Sequence, residues 1–206
     1  MVYRVGKDRH CAGCRQVVPF PSESARGSLG ASVSCICVLE KHERSALVFD
    51  PTELNLDESA FKKCDWKECY PGAKEAIPPD MPEPRGHPVT CFIDADHAGC
   101  RLTRRSHSGI LIFVNRAPIL WFSKRQATVE SSTFGSEVVA MRQAIKMIEG
   151  LRSKLRMMGV PVEEATKVYC DNDTVVKSTS RPESTLTKKH QAINYHRCRK
   201  AQAAGQ

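Results

Sequence analysis

The chain has 206 residues, of which 41% are hydrophobic, and this is enough for one α/β domain with a buried core and an appended segment. No run approaches the ~20 apolar residues of a membrane span, and the first residues lack a signal-peptide profile. We therefore expect an intracellular protein, cytoplasmic or nuclear, with no membrane contact. The 31 Lys and Arg against 23 Asp and Glu give a net charge of +8, which fits a polyanionic partner or a solvated basic surface equally well.

Residues 1–37 lack clear periodicity, so they are predicted to be an irregular segment. Their cysteines, with His10, resemble a zinc cluster, but one pair is separated by a single residue instead of the usual two to about four. Incidental cysteines are the alternative interpretation. Because an intracellular compartment keeps thiols reduced, we expect no structural disulfides among the ten cysteines. The N-terminal cysteines concerned are Cys11, Cys14, Cys35 and Cys37.

Residues 38–88 are predicted to form a connecting segment. Residues 46–49 predict a strand that is closed by a turn at Pro51. Trp66 and Tyr70 are expected to pack this segment onto the domain that follows. An extended, helix-free stretch is predicted where prolines cluster, at Pro78, Pro79, Pro82 and Pro84.

Residues 89–206 carry the clearest pattern. Residues 89–95 predict a short strand that delivers Asp94, and residues 108–114 and 119–122 predict a hairpin. Residues 133–158 predict a long amphipathic helix, because apolar side chains recur every three or four positions before Gly159.

The remaining elements follow in order. Residues 167–171 predict a strand that ends on Asp171, and Asn172 is expected to cap a short helix that runs to Ser180. Residues 187–204 predict a final basic helix.

Three acids fall at corresponding places in these elements: Asp94, Glu137 and Asp171. Because the carboxyl ends of neighbouring parallel strands meet in one crevice, we expect the three side chains to lie together. Carboxylate oxygens are the ligands that Mg²⁺ prefers. For Glu137, the alternative is a favourable interaction with the positive end of the helix dipole. Asp96 is interpreted as a supporting residue, and His97 as a loop residue in preference to a proton shuttle.

Five blocks of this sequence, in this order and at this spacing, resemble the ribonuclease H domain of copia-type retrotransposon Pol polyproteins, preceded by its connection segment. The resemblance begins near Val38. The blocks start at Asp94, Thr103, Trp121, Ser136 and Tyr169, and read Asp-Ala-Asp-His-Ala-Gly, Thr-Arg-Arg-Ser-His-Ser-Gly, Trp-Phe-Ser-Lys-Arg-Gln, Ser-Glu and Tyr-Cys-Asp-Asn.

The resemblance implies a ribonuclease H-like α/β fold. In this fold a mixed sheet of three successive antiparallel strands is followed by a parallel strand, and the long helix packs on the sheet. It also implies endonucleolytic hydrolysis of the RNA strand of RNA–DNA hybrids. Asp94, Glu137 and Asp171 would be the catalytic carboxylates and would hold two Mg²⁺ ions. The expected partners are the hybrid, recognised by its shape and its 2′-hydroxyls, and a reverse transcriptase domain.

Basic side chains are the candidates for holding the phosphates of nucleic acid. For the loop that contains Arg104 and Arg105, a solvated surface is the alternative. The complete candidate set is Arg104, Arg105, Lys124, Lys188 and Lys189.

The resemblance also implies a further strand and helix with a fourth catalytic aspartate, and this sequence reaches Gln206 without them. We therefore expect a truncated domain, and the alternative function is an inactive remnant that folds or binds nucleic acid without cleaving it. An integrase or transposase core is disfavoured because those enzymes place their glutamate last.

Overall fold

One mixed sheet of five strands forms the centre of the protein in the computed structural model. The strands are β1 (Val2–Tyr3), β2 (Val89–Asp96), β3 (His107–Val114), β4 (Ala117–Arg125) and β5 (Lys167–Cys170). Their spatial order is β1-β5-β2-β3-β4. β2, β3 and β4 pair antiparallel, whereas β5 pairs parallel with both β2 and β1. Three antiparallel strands followed by a parallel strand agree with the predicted ribonuclease H-like fold.

The structure describes residues 2–3, 48–56, 58–59, 61, 63–75, 86–162, 164–186 and 188–206. From residue 49 onward the described residues form one compact unit together with β1. The predicted zinc cluster and the proline-rich stretch lie outside the described residues. No helix in the described ranges combines the length and the apolarity that crossing a bilayer requires.

The long helix α1 (Thr133–Met157) covers one face of the sheet. It starts where the Ser132 side chain accepts a hydrogen bond from the Gly135 N–H group, an N-cap that satisfies one free donor. Its buried side chains, such as Val138 and Met141, pack against strand residues in a single hydrophobic core. Each fully buried apolar side chain of this size contributes about 1.5–3 kcal/mol.

The end of α1 confirms the predicted boundary. Gly159 has a φ of +75°, in the left-handed region that a residue with a Cβ rarely adopts. The Gly159 N–H group donates to the Arg156 carbonyl at 2.9 Å, which closes the last turn.

Two shorter helices complete the unit: α2 (Asp173–Ser180) and α3 (Ala192–Ala203). The Asn172 side chain accepts hydrogen bonds from two N–H groups of α2, which confirms its predicted role as a cap. The predicted final helix is wrong at its start, because Lys189–Gln191 form a 3₁₀ turn. The buried Gln191 side chain donates to Glu130, and this contact holds the turn against the loop before α1.

The connecting segment packs onto α3, as predicted. Trp66 is only 7% exposed. The guanidinium carbon of the buried Arg199 lies 5.0 Å from the centre of the Trp66 ring, and the Tyr70 hydroxyl lies 2.7 Å from His196 Nδ1. Arg199 also donates to several backbone carbonyls between Ser178 and Ser184. The connecting segment therefore covers a buried cation.

Two predictions near the amino terminus need correction. Residues 48–50 are the described part of the predicted strand and its turn, and they form no strand. Val48 and Phe49 are exposed, so their side chains lack the core packing that would stabilise a strand. The segment 1–37 was predicted to be irregular, yet Val2–Tyr3 pair with Val168 and Tyr169. β1 therefore forms one edge of the sheet, beside β5.

Among the described cysteines, Cys69, Cys91, Cys100, Cys170 and Cys198 are not in disulfide bonds, and Cys91, Cys170 and Cys198 are buried.

A second contact ties the connecting segment to α1. Glu75 accepts hydrogen bonds from Arg152 Nε at 2.7 Å and from Arg156 Nη2 at 2.7 Å, and Arg152 is fully buried. Burial raises the pKa of Glu75, but the hydrogen bonds from Arg152 and Arg156 outweigh it and lower that pKa to about 2. The carboxylate therefore remains charged at all ordinary pH values.

We predict that Glu75→Gln destabilises the protein by about 2–4 kcal/mol, because two buried guanidinium groups lose their counter-charge. Since the folded-state pKa lies below the ordinary value, the stabilisation is complete above about pH 4.5 and is lost as the pH falls toward 2. Urea unfolding between pH 7 and pH 3 measures both effects. Glu68→Gln, at an exposed position of the same segment, is the control. Equal stability of the two variants would contradict the prediction.

Candidate active site

Two of the predicted acids lie side by side at one end of the sheet. Ile93 of β2 is the register partner of Cys170 of β5, and the two strands run parallel. Asp94 and Asp171 are the residues that follow this pair, so both lie at the same end of the β2–β5 pairing. Both are exposed. The parallel pairing thus brings two carboxylates that are far apart in the sequence to the same end of the two strands.

The third acid, Glu137, comes from the second turn of α1 and is only 5% exposed. Its Oε1 accepts a hydrogen bond from the Ala95 N–H group at 3.3 Å, and its Oε2 lies 3.9 Å from Cys170 Sγ. One donor atom each from Glu137, Cys170 and Asp171 lies within 4.8 Å of the others. The helix therefore brings its carboxylate to the strand ends that carry the other two acids.

The charged forms of Asp94 and Glu137 are disfavoured by their surroundings. Burial raises the pKa of Glu137 to about 8, with further contributions from the charges of Asp171 and Asp94. Although part of the Asp94 side chain is exposed, partial desolvation of its carboxylate and the charges of Asp171 and Asp96 raise its pKa. Within the described ranges, none of the three predicted acids forms an ion pair with a basic side chain. A bound cation would relieve this repulsion.

The donor atoms fit a hard divalent cation. Asp94, Glu137 and Asp171 offer carboxylate oxygens, the ligand type that Mg²⁺ selects. Burial raises the pKa of the Cys170 thiol to about 12, so its sulfur is neutral at ordinary pH and is no ligand for Mg²⁺. Cys170 was not among the site residues predicted from the sequence. Its position directly before Asp171 was the signal that it borders the site.

The loop after β2 holds Asp96 apart from this group. A Cβ atom on Gly99 would lie 1.7 Å from Asp96 Oδ2, so the Asp96 carboxylate rests directly against the Gly99 backbone. Ala98 has a φ of +53°, and its N–H group donates to Ser106 Oγ at 3.0 Å. His97 Nδ1 is buried without a hydrogen-bond partner in the part of the chain that is described. Asp96 therefore packs within the turn, and only its charge affects Asp94.

The predicted phosphate-binding residues differ in their surroundings. Arg104, with a φ of +54°, Lys124 near the end of β4, and Lys189 are exposed. Arg105 is half-buried. Lys188 donates to the Ser132 hydroxyl and lies 5.5 Å from the centre of the Phe134 ring, so its ammonium group already has neighbours at the start of α1. Arg104, Lys124 and Lys189 are therefore the freest to contact a polyanion.

We predict that Glu137→Gln stabilises the metal-free protein by about 1–3 kcal/mol at pH 8–9, because burying the charged carboxylate is unfavourable. The folded-state pKa near 8 exceeds the ordinary value of 4.5, so wild-type stability should fall as the pH rises from about 4.5 to 8. Thermal unfolding in a chelator across this range measures the effect. The variant should lack this fall and match the wild type at low pH.

Glu149→Gln is the matched control on the same helix, because Glu149 forms an ion pair with Arg197 at the surface. It should give no stabilisation. Parallel pH profiles for the wild type and Glu137→Gln would contradict the assigned environment of Glu137.

Comparison with known proteins adds an independent finding. No protein-family model matches the chain. Over 105 residues, or 51% of the chain, it is 29% identical to the retrovirus-related Pol polyprotein from transposon RE1 of Arabidopsis thaliana. It is 30% identical over 105 residues to the corresponding polyprotein from transposon TNT 1-94 of Nicotiana tabacum. These alignments cover 7% and 8% of the two polyproteins.

A shorter alignment of 53 residues, 26% of the chain and 22% of its partner, is 43% identical to an uncharacterized mitochondrial protein of Arabidopsis thaliana. The chain spans less than a tenth of the length of the polyproteins that it matches. Half of this chain is thus related to the Pol polyproteins of transposons, which supports its derivation from a retroelement.

Proposed function

We propose that this protein is a retroelement-derived ribonuclease H that cleaves the RNA strand of RNA–DNA hybrids endonucleolytically and depends on Mg²⁺. The observation that carries the proposal is the position of Asp94, Glu137 and Asp171 at the same end of β2 and β5, with raised pKa values at Asp94 and Glu137 and no basic ion-pair partner within the described part of the chain. A structural role would not require three acids that repel one another. The relation to transposon Pol polyproteins supports a nucleic-acid substrate.

In this proposal Asp94, Glu137 and Asp171 hold the divalent ions. When bound, Mg²⁺ activates water and stabilises charge on the leaving oxygen. The protein contributes a buried carboxylate from Glu137 and two exposed carboxylates, Asp94 and Asp171, that are open to a substrate. The Ala95 N–H group orients Glu137 by its hydrogen bond to Oε1.

The substrate would be held through its backbone. Arg104, Lys124 and Lys189 are exposed cations that suit phosphate groups, and such contacts give affinity without reading the base sequence. The shape of the helix and the RNA 2′-hydroxyls would then distinguish a hybrid from duplex DNA. A reverse transcriptase domain is the partner that the resemblance to copia-type Pol polyproteins implies.

A second candidate function is a remnant that binds nucleic acid without cleavage. The observation that favours it is that the group of donor atoms lying within 4.8 Å of one another contains the neutral thiol of Cys170 and not Asp94. A cleavage assay separates the two functions, because both of them predict binding.

We predict that the protein cleaves a labelled RNA–DNA hybrid in excess Mg²⁺ and leaves duplex DNA intact. Asp94→Asn and Asp171→Asn should each lower the rate by at least about 100-fold, because each loses a charged oxygen ligand. Asp173→Asn is the matched control, since Asp173 lies two residues beyond Asp171 and pairs with Lys177 instead. It should retain activity within about twofold. Absence of cleavage above the Asp94→Asn level would support the second candidate.

We also predict that Arg104→Ala combined with Lys124→Ala weakens hybrid binding, because both cations are proposed to neutralise phosphates. The slope of log affinity against log salt should become shallower by about 1 for each phosphate that is no longer neutralised, and different base sequences should be affected alike. Fluorescence anisotropy at several salt concentrations measures this. Lys146→Ala, an exposed cation on α1, is the control. An unchanged slope in the double variant would exclude these residues from the interface.

A further inference from the structure

Gln126 lies directly after β4, and its side chain contacts Ser108 and Ser136, which neighbour the candidate active site. It is only 6% exposed. Its Nε2 donates to Ser108 Oγ and to the Ser136 carbonyl, each at 2.9 Å. Its backbone N–H group donates to the Ser106 carbonyl at 2.7 Å. The one amide group therefore links β3 to the first turns of α1.

The two hydrogen bonds that Gln126 Nε2 donates complete a closed chain of contacts around the candidate site. Ser136 immediately precedes Glu137, whose Oε1 accepts from the Ala95 N–H group. Ala95 is the register partner of Ser108, and Ser108 accepts from Gln126. This chain of contacts thus runs from the helix that carries Glu137, through the strand that carries Asp94, and back to the helix through the Gln126 amide.

We propose that Gln126 is a positioning residue that sets the placement of Glu137 relative to Asp94. Its donor group fixes the first turns of α1 to β3, the strand paired with the Asp94 segment. The catalytic consequence of this role rests on the proposed function, whereas the positioning itself is a property of the free protein.

The chemistry of the amide supports a role beyond stability. Gln126 Oε1 is buried and has no hydrogen-bond partner among the described residues. An unsatisfied buried acceptor is unfavourable, so the oxygen of this amide does not stabilise the fold. An amide here is useful because it provides the Nε2 donor. Glutamate would remove that donor and add negative charge near three carboxylates.

Amide hydrogen exchange tests the positioning without any need for activity. Gln126→Met keeps the length of the side chain and removes the donor. We expect the Ala95 N–H group to exchange at least about 10-fold faster in this variant, while amides of α2 keep their wild-type rates. If Gln126→Met does not fold, Ser108→Ala breaks the same chain of contacts from the other side.

Thr179→Val is the matched control, because Thr179 is buried in α2 and donates to the Val175 carbonyl at 2.8 Å. It should lower stability without changing exchange at Ala95. Wild-type protection of Ala95 in a folded Gln126→Met or Ser108→Ala variant would overturn the proposal, and so would equal loss of protection in Thr179→Val.

Kinetics test the catalytic consequence. In Gln126→Met, kcat should fall by at least about 10-fold and the Mg²⁺ concentration for half-maximal rate should rise, while KM for the hybrid stays within about twofold. Thr179→Val should change none of these at temperatures where it is folded. If the wild type does not cleave hybrids, the proposed function fails, and the exchange experiment still decides the positioning.

Discussion

The parallel pairing of β2 with β5 is the constraint on which the candidate site depends. The register of Ile93 with Cys170 places the next residues, Asp94 and Asp171, at the same end of the two strands. A shift of one residue would turn Asp94 or Asp171 to the opposite face, because side chains alternate along a strand. The buried core beneath α1 fixes the register, since β-branched and aliphatic side chains of both strands belong to it. Packing of apolar groups thereby sets the geometry of charged ones.

The elements that depend on short-range sequence patterns were predicted correctly. The turn at Gly159, the cap at Asn172 and the long apolar stripe of α1 are short-range patterns, and the structure has each of them. The convergence of the acids was predictable because strand ends and topology determine it. Their catalytic and metal-binding roles, like those of the basic residues, stay predictions.

The features that the sequence analysis missed depend on contacts between distant segments. The 3₁₀ turn at Lys189–Gln191 reflects the contact of Gln191 with Glu130, 61 residues away in the sequence. Exposed Val48 and Phe49 have the composition of a strand but no sheet neighbour within the described residues. The link from Gln126 to Ser108 and Ser136 likewise has no periodic signature, because it joins a strand end to a helix turn through one side chain.

The packing of the connecting segment against Arg199 indicates where the folded domain begins. This guanidinium group is 4% exposed, with Trp66 and Tyr70 of the connecting segment against it. A recombinant fragment cut immediately before Val89 would contain every recognisable sequence block yet uncover this arginine and strip Glu75 from Arg152. A fragment that keeps both contacts must therefore begin upstream of Trp66.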